Sequence, residues 1–172
     1  MTTVYAGVLP GDLDAIVRTG LDHGGNAVEP FVDGVDWWLR CCLSHAGPRD
    51  RLAIIAYSPF PWRSPYRETG PVVVHADPSD CPGHDGAFPQ AFDGVRQVVR
   101  AFGTEGGRSR TQIYELNRLV EPGDGLEAVV EGVLDDPRVD RVHVHNVLSQ
   151  CFSFAASRPD RRGAAQTTSS DW

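Results

Sequence analysis

The chain contains no lysine: all 16 of its basic side chains are arginines. Without a lysine there is no Schiff-base nucleophile, which excludes pyridoxal-phosphate and aldolase-type chemistry. The same absence removes the GxxxxGK[ST] phosphate loop. No GxGxxG opens a helix after a strand, so a dinucleotide-binding fold has no support. No apolar run reaches the roughly 18 residues a membrane span needs. The N-terminal stretch "MTTVYAGVLPGDLD" lacks the basic and apolar regions of a signal peptide, so a cytoplasmic location is expected. There is no CxxC pair, and a structural zinc ribbon is not indicated. The arginine bias itself is compositional, in keeping with a high-GC genome of bacterial type.

What is present fits a folded domain. The 172 residues are 41% hydrophobic and include four Trp, enough for a real core. One domain is expected over residues 1–156, with 157–172 as a disordered tail, because the apolar pattern stops at "RPDRR". The net charge of −7 and pI near 5.2 argue against a nucleic-acid or anionic-membrane partner. Cys41, Cys42, Cys81 and Cys151 read as thiols rather than disulfides, given the expected compartment.

Periodicity predicts a strand at "VYAGVLP" and a helix at "GDLDAIVRTGLD", with Asp12 as its cap. Strands are expected at "NAVEPFV", "DWWLRCCL", "RLAIIAYS", "GPVVVHAD", "IYELNRLV" and "RVDRVHVHNV", the last in a hairpin with "LSQCFSFAAS"; "FDGVRQVVRAF" fits a strand or a helix, and a strand is preferred. "TEGGRSRTQ" reads as a turn, and "PGDGLEAVVEGVLDDP" as the clearest helix, capped by Asp124. The whole reads as an α+β fold with a largely antiparallel sheet and two or three helices packed on it.

Four constellations carry chemistry. In "HVHNV", His143 and His145 stand two apart on a strand, so both imidazoles share one face. They suit an acid-base pair or metal ligands, or they belong to an ordinary solvent-facing side of a sheet. The segment "VVVHADPSDCPGHDG" offers His75, Cys81 and His84 as zinc-type ligands, or a Cys beside a His as a nucleophile. In "SPYRETGP", Arg67 offers a planar fork for a carboxylate or phosphate and Glu68 a general base. Neighbours on an extended chain diverge, so Arg67 is expected to face a pocket with Glu68 as its support. In "DWWLRCCL", a strand places Arg40 and Cys42 on one face, which would lower the thiol's pKa, unless Cys42 is simply a small core residue.

Taken together, "RCCL", "SPYRETGPVVVHA" followed by Cys81, and "VHVHNVLSQCF" resemble the bacterial domain-of-unknown-function family 1203 over about residues 35–155. Arg40, Cys42, Glu68, Gly70, Pro71, His75, Cys81, His143, Asn146, Cys151 and Phe152 match that family's pattern. Leu39 stands where its first Cys would fall, and His145 where an Arg is expected. The resemblance implies that these positions form a site and implies no particular reaction.

The sequence thus predicts a small-molecule enzyme working by acid-base chemistry, a cyclisation, isomerisation, elimination or hydrolysis, with a tailoring step in secondary metabolism as its setting. His75, His143, His145, Cys42 and Glu68 are the candidate catalytic residues. Arg67, Arg40, Tyr66, Asn146 and Cys151 are the candidates for binding an anionic substrate. No cofactor is required by any motif. A zinc or other transition-metal site is a candidate at His75, Cys81, His84, His143 and His145. The alternatives are a non-catalytic metal- or ligand-binding module, or a partner-binding protein, a homodimer included, with Trp37 and Trp38 as exposed anchors.

Overall fold

The structure is a computed structural model, and it describes residues 2–158. Its elements in chain order are β1 (Val4–Ala6), α1 (Pro10–Thr19), β2 (Pro30–Phe31), β3 (Leu52–Tyr57), β4 (Gly70–His75), β5 (Gln97–Glu105), β6 (Arg108–Gln112), β7 (Arg118–Val120), α2 (Leu126–Asp135), β8 (Val139–Asn146) and β9 (Phe152–Ser157). A six-stranded sheet runs β1-β9-β8-β5-β6, with β7 also on the free edge of β5; β2, β3 and β4 form a second sheet. Every pair of named strands is antiparallel. The expected α+β fold with a largely antiparallel sheet is present, and it carries two α-helices among the described residues.

Period-2 patterning on β8 divides the interior. Val142 and Val144 enter one core with Val130, Val133 and Leu134 of α2 and with Phe154. The opposite face of the large sheet, through Phe152 and Ala155, packs on a second core built from α1, β3, β4 and the 39–42 turn. The layers are therefore α2, the large sheet, and then the small sheet with α1. His143 and His145 lie on the buried middle face, 0% and 2% exposed, and not on a solvent-facing side.

Several sequence expectations are corrected. "DWWLRCCL" is no strand: it makes isolated bridges at Trp38–His45 and Leu39–Val73 around a tight turn, with Leu43 at φ 55°. Trp38 packs edge-on to Phe92 at the large core and Trp37 against the second, so neither is a free anchor. "TEGGRSRTQ" is a β-hairpin, because Gly106 and Gly107 both take positive φ between Glu105 and Arg108. Only Pro30 and Phe31 of "NAVEPFV" form a strand, with Ala27 making an isolated bridge to Leu21, and "IYELNRLV" is a 3-10 turn at Tyr114–Leu116 followed by β7. Leu9, not Asp12, is the cap residue of α1, whose first residue is Pro10. Gly125 precedes α2, and the Leu126 N–H is satisfied from a distance by Asp93, 2.9 Å away, so Asp124 is not the cap. Ser157 is the last residue of β9, and Arg158 pairs with Asp135 at 2.6 Å, so the domain outlasts its expected limit at 156. The rest of the expected tail, 159–172, lies outside the described residues.

Candidate functional site

A cavity of about 350 Å3 opens where α1, the end of β3, the loop after it and β8 meet. Its chemistry comes from Asp12, His23, Tyr57, Trp62, Arg63, Arg67 and Arg141. The Tyr57 hydroxyl donates to Asp12 Oδ2 at 3.0 Å and accepts from the Leu9 N–H at 3.4 Å. Burial, then the Asp12 charge, push the Tyr57 phenol well above its ordinary pKa. His23 stacks on the Tyr57 ring with centroids 5.2 Å apart. The Ser58 N–H donates to His23 Nδ1 at 3.1 Å, which puts the proton of a neutral His23 on Nε2. The Ser58 hydroxyl also accepts from Arg67 Nε at 3.0 Å, so one residue fixes both an imidazole and a guanidinium. Trp62 Nε1 is buried without an acceptor among the described residues, a donor for which a bound ligand would be the partner.

Behind the cavity lies a charged network. Arg141 Nε donates to His143 Nε2 at 2.9 Å, so neutral His143 carries its proton on Nδ1. His143 is walled by Phe60, Phe102 and Phe152 at centroid distances of 4.5, 4.9 and 5.6 Å. Burial, then the Arg141 charge, hold its pKa well below 6.5. Next to it, His145 Nδ1 donates to the Gln150 carbonyl at 3.1 Å, and His145 Nε2 lies 3.0 Å from Glu68 Oε1. Arg100 holds both oxygens of Glu68, at 3.0 and 3.2 Å. The contact with His145 keeps the Glu68 carboxyl below its ordinary pKa despite partial burial. Glu68, His143 and His145 stand close enough to share a cation. Two guanidinium groups already occupy the set, which makes it an ion-pair network.

His143 supplies a pH prediction. Its depressed native pKa means that the unfolded chain gains a proton below about 6.5 while the folded chain does not, so stability falls as pH drops through that value. The slope approaches roughly 1.4 kcal/mol per pH unit. The neighbouring charges, Arg141, Arg100 and His145, act in the same direction. His143→Gln keeps an acceptor for Arg141, and its melting temperature between pH 6.5 and 5.5 should depend less on pH than that of the native protein. Equal slopes would mean that His143 does not titrate this way.

A second cluster lies apart from the cavity. The turn at Arg40–Cys42 aims two adjacent thiols inward, where the end of β4 brings His75 and the following loop Cys81. The ligand atoms of Cys41, Cys42, His75 and Cys81 all lie within 4.8 Å of one another, and this set could hold a metal ion. His75 Nδ1 is 3.4 Å from Cys41 Sγ, and the His75 backbone N–H donates to the same sulfur at 3.3 Å. The hydrogen bond from Cys41, with help from Ser44, lowers the Cys42 thiol to about 5 and raises that of Cys41.

The predicted residues are therefore divided. His75 and Cys42 join the thiol cluster; Glu68, His143 and His145 form the ion-pair network; Arg67 alone lines the cavity. They do not converge on one concavity. Glu68 does not support Arg67: it faces Arg100 and His145, and Ser58 takes the supporting place. Arg40 is a buried structural group with backbone partners, the carbonyls of Phe152 at 2.6 Å and Trp38 at 2.7 Å, and its pKa is lowered to about 10 by burial. Asn146 binds the backbone N–H groups of Leu148 and Ser149, and Cys151 closes the same turn on the Ser149 carbonyl. Tyr66 lies against Tyr114, away from the cavity. His84 caps the Ala87 carbonyl and stays outside the thiol cluster. Sequence reasoning missed Asp12, His23, Tyr57, Trp62, Arg63 and Arg141 in the cavity and Cys41 in the thiol cluster. "SPFPWR" was the available signal, a Pro-rich run with an aromatic and a cation leaving a buried strand.

No helix among the described residues is long and apolar enough to cross a membrane. Neither the curated proteins nor the solved structures contain a match to this chain. A family model, described as protein of unknown function (DUF1203), matches residues 37–158. That span holds the thiol cluster, the ion-pair network and the arginines of the cavity, whereas Asp12 and His23 precede it. With well over half of its length matched, the chain belongs to the DUF1203 family.

Proposed function

We propose that the protein is a cytoplasmic small-molecule enzyme that binds an anionic substrate in the arginine-lined cavity and acts on it by proton transfer. One observation carries this reading: Arg63, Arg67 and Arg141 line the same cavity as the Tyr57–Asp12 pair. Three guanidinium groups beside an aromatic wall suit a carboxylate or phosphate attached to a small organic body. Arg67 is oriented by Ser58 and Arg141 by His143, so two of the three forks are held in place before a ligand arrives. Tyr57, kept protonated by its raised pKa, gives its proton to the substrate. Asp12 takes a proton from the substrate, or from the attacking water in a hydrolysis, and passes it to the Tyr57 phenolate, so both groups end as they began. This arrangement suits an isomerisation, elimination, cyclisation or hydrolysis.

The binding half of the proposal is tested by calorimetry with inorganic phosphate and with malonate. At least one of them should bind, and Arg67→Met should weaken that binding by about tenfold or more, the worth of one charge-assisted contact. Absence of binding by both anions at millimolar concentration would overturn the reading. A binding module without turnover would pass this test and fail the Tyr57 experiment described in the Discussion.

A further inference from the structure

We infer that Cys41, Cys42, His75 and Cys81 form a closed, four-coordinate zinc site that ties the 38–45 turn to β4 and to the loop after it. The inference stands apart from the cavity, none of whose lining residues belongs to this set. Three thiols and one imidazole are the donors that zinc takes in structural sites, where four protein ligands complete a tetrahedron. Hard cations such as magnesium and calcium prefer oxygen and are not suited to it.

Three features go beyond the proximity of the ligand atoms. First, the ligands come from three segments, and the chain bends sharply to deliver two of them. On a strand Cys41 and Cys42 would point apart; the turn, with Leu43 at φ 55°, brings both sulfurs to one side. Second, His75 is oriented as a metal-bound histidine is. Its Nε2 lies 3.4 Å from Asp50 Oδ2, which leaves the Nδ1 lone pair facing the sulfurs, and Asp50 is itself fixed by the Gly47 N–H at 2.7 Å. A carboxylate on the remote nitrogen is the usual outer partner of a zinc-bound imidazole. Third, the His75 backbone N–H donates to Cys41 Sγ, a contact that offsets negative charge on a coordinated thiolate. All four cysteines are free thiols, so no disulfide competes for these three.

The same residues invite a different reading, a Cys41–His75–Asp50 nucleophilic triad. It fits less well: Cys41 is 6% exposed, it does not line the cavity, and the triad leaves Cys42 and Cys81 without a part. In zinc binding, each thiol that arrives protonated loses its S–H proton to solvent as the S–Zn bond forms, with no change of oxidation state.

The test uses the full-length protein purified under reducing conditions without chelator. Elemental analysis should find about one zinc per chain. With metal bound, a thiol-specific chromogenic reagent should react readily with Cys151 alone, and chelator should then expose Cys41, Cys42 and Cys81 as well. His84→Ala should keep the full equivalent, and Cys81→Ser, which alters the most accessible ligand, should lose most of it. Cobalt(II) added to the stripped protein should give the intense absorption of a tetrahedral thiolate complex. Identical thiol reactivity with and without chelator, combined with failure of the stripped protein to take up zinc or cobalt, would overturn the inference, and neither measurement needs a variant to fold. Selective alkylation of Cys41 in the zinc-treated native protein would favour the nucleophilic triad instead.

Discussion

Tyr57→Phe is expected to slow turnover by roughly 10²–10⁴-fold, the usual contribution of a positioned general acid. The phenol is the hydroxyl at the cavity wall that meets a carboxylate, donating to Asp12 while accepting from the Leu9 N–H. Phe keeps the ring and its stacking on His23 and removes the one dissociable proton. Phosphate or malonate binding depends on the arginines, so it should survive, and the loss should fall on kcat rather than on KM. The substrate can be found by incubating a metabolite extract with the native protein and following anionic species by mass spectrometry. A species consumed by the native chain should persist with Tyr57→Phe, whose fold is checked by circular dichroism. Consumption at the native rate would remove Tyr57 from the chemistry.

A large effect on stability is expected at Gly7. A Cβ built on Gly7 would overlap the backbone carbonyl of Arg40, and the neighbouring Val8 N–H donates to that same oxygen at 2.6 Å. Neither partner is a flexible side chain, so Gly7→Ala must push the β1–α1 connection off the turn that carries Arg40, Cys41 and Cys42. Overpacking of this kind costs about 3 kcal/mol or more, which lowers the melting temperature by roughly 6–12 °C in a chain of this size. Gly132→Ala is the paired comparison: it lies within α2 with nothing within 4 Å of the added methyl, and should gain about 0.5–1 kcal/mol. Thermal melts of the two variants should move in opposite directions. A Gly7→Ala protein as stable as the native one would mean that this contact tolerates relaxation.

The parts of the fold that were legible in the sequence are those where one residue pattern decides. Alternation on β8 separated Val142 and Val144 from His143 and His145, and the apolar stripe of Leu126, Val130, Val133 and Leu134 marked α2. Family resemblance pointed to residues that the structure does bring near one another, but as two sets. What alternation could not say is which face is covered: the histidine side looks polar yet is buried, because the small sheet and Phe60, Phe102 and Phe152 close over it. "DWWLRCCL" misled because β-favouring residues occur there in a turn whose shape is set by tertiary contacts, Leu39 with Val73 and Arg40 with the Phe152 carbonyl. The cavity was illegible for a related reason. Asp12, Tyr57 and Arg141 are far apart in sequence, and each has an unremarkable local role as helix residue, strand end or surface cation. Only the packing of α1 against β3 and β8 makes them neighbours.

The two cores give the molecule a seam. The two apolar clusters lie on opposite faces of the large sheet, and α1 with the small sheet is held to it through the second of them, by Phe152 and Ala155. That layer is therefore expected to open before the large sheet does. Amide protons of β5 and β8, paired on both sides, should exchange with deuterated solvent only on global unfolding; those of β2–β4 and α1 should exchange sooner, through partial opening. The cavity straddles that boundary, with Asp12 and Tyr57 on one layer and Arg141 on the other. A bound anion bridging the two would slow exchange throughout α1 and the small sheet, far beyond the residues it touches, because it would fasten the looser layer to the firmer one.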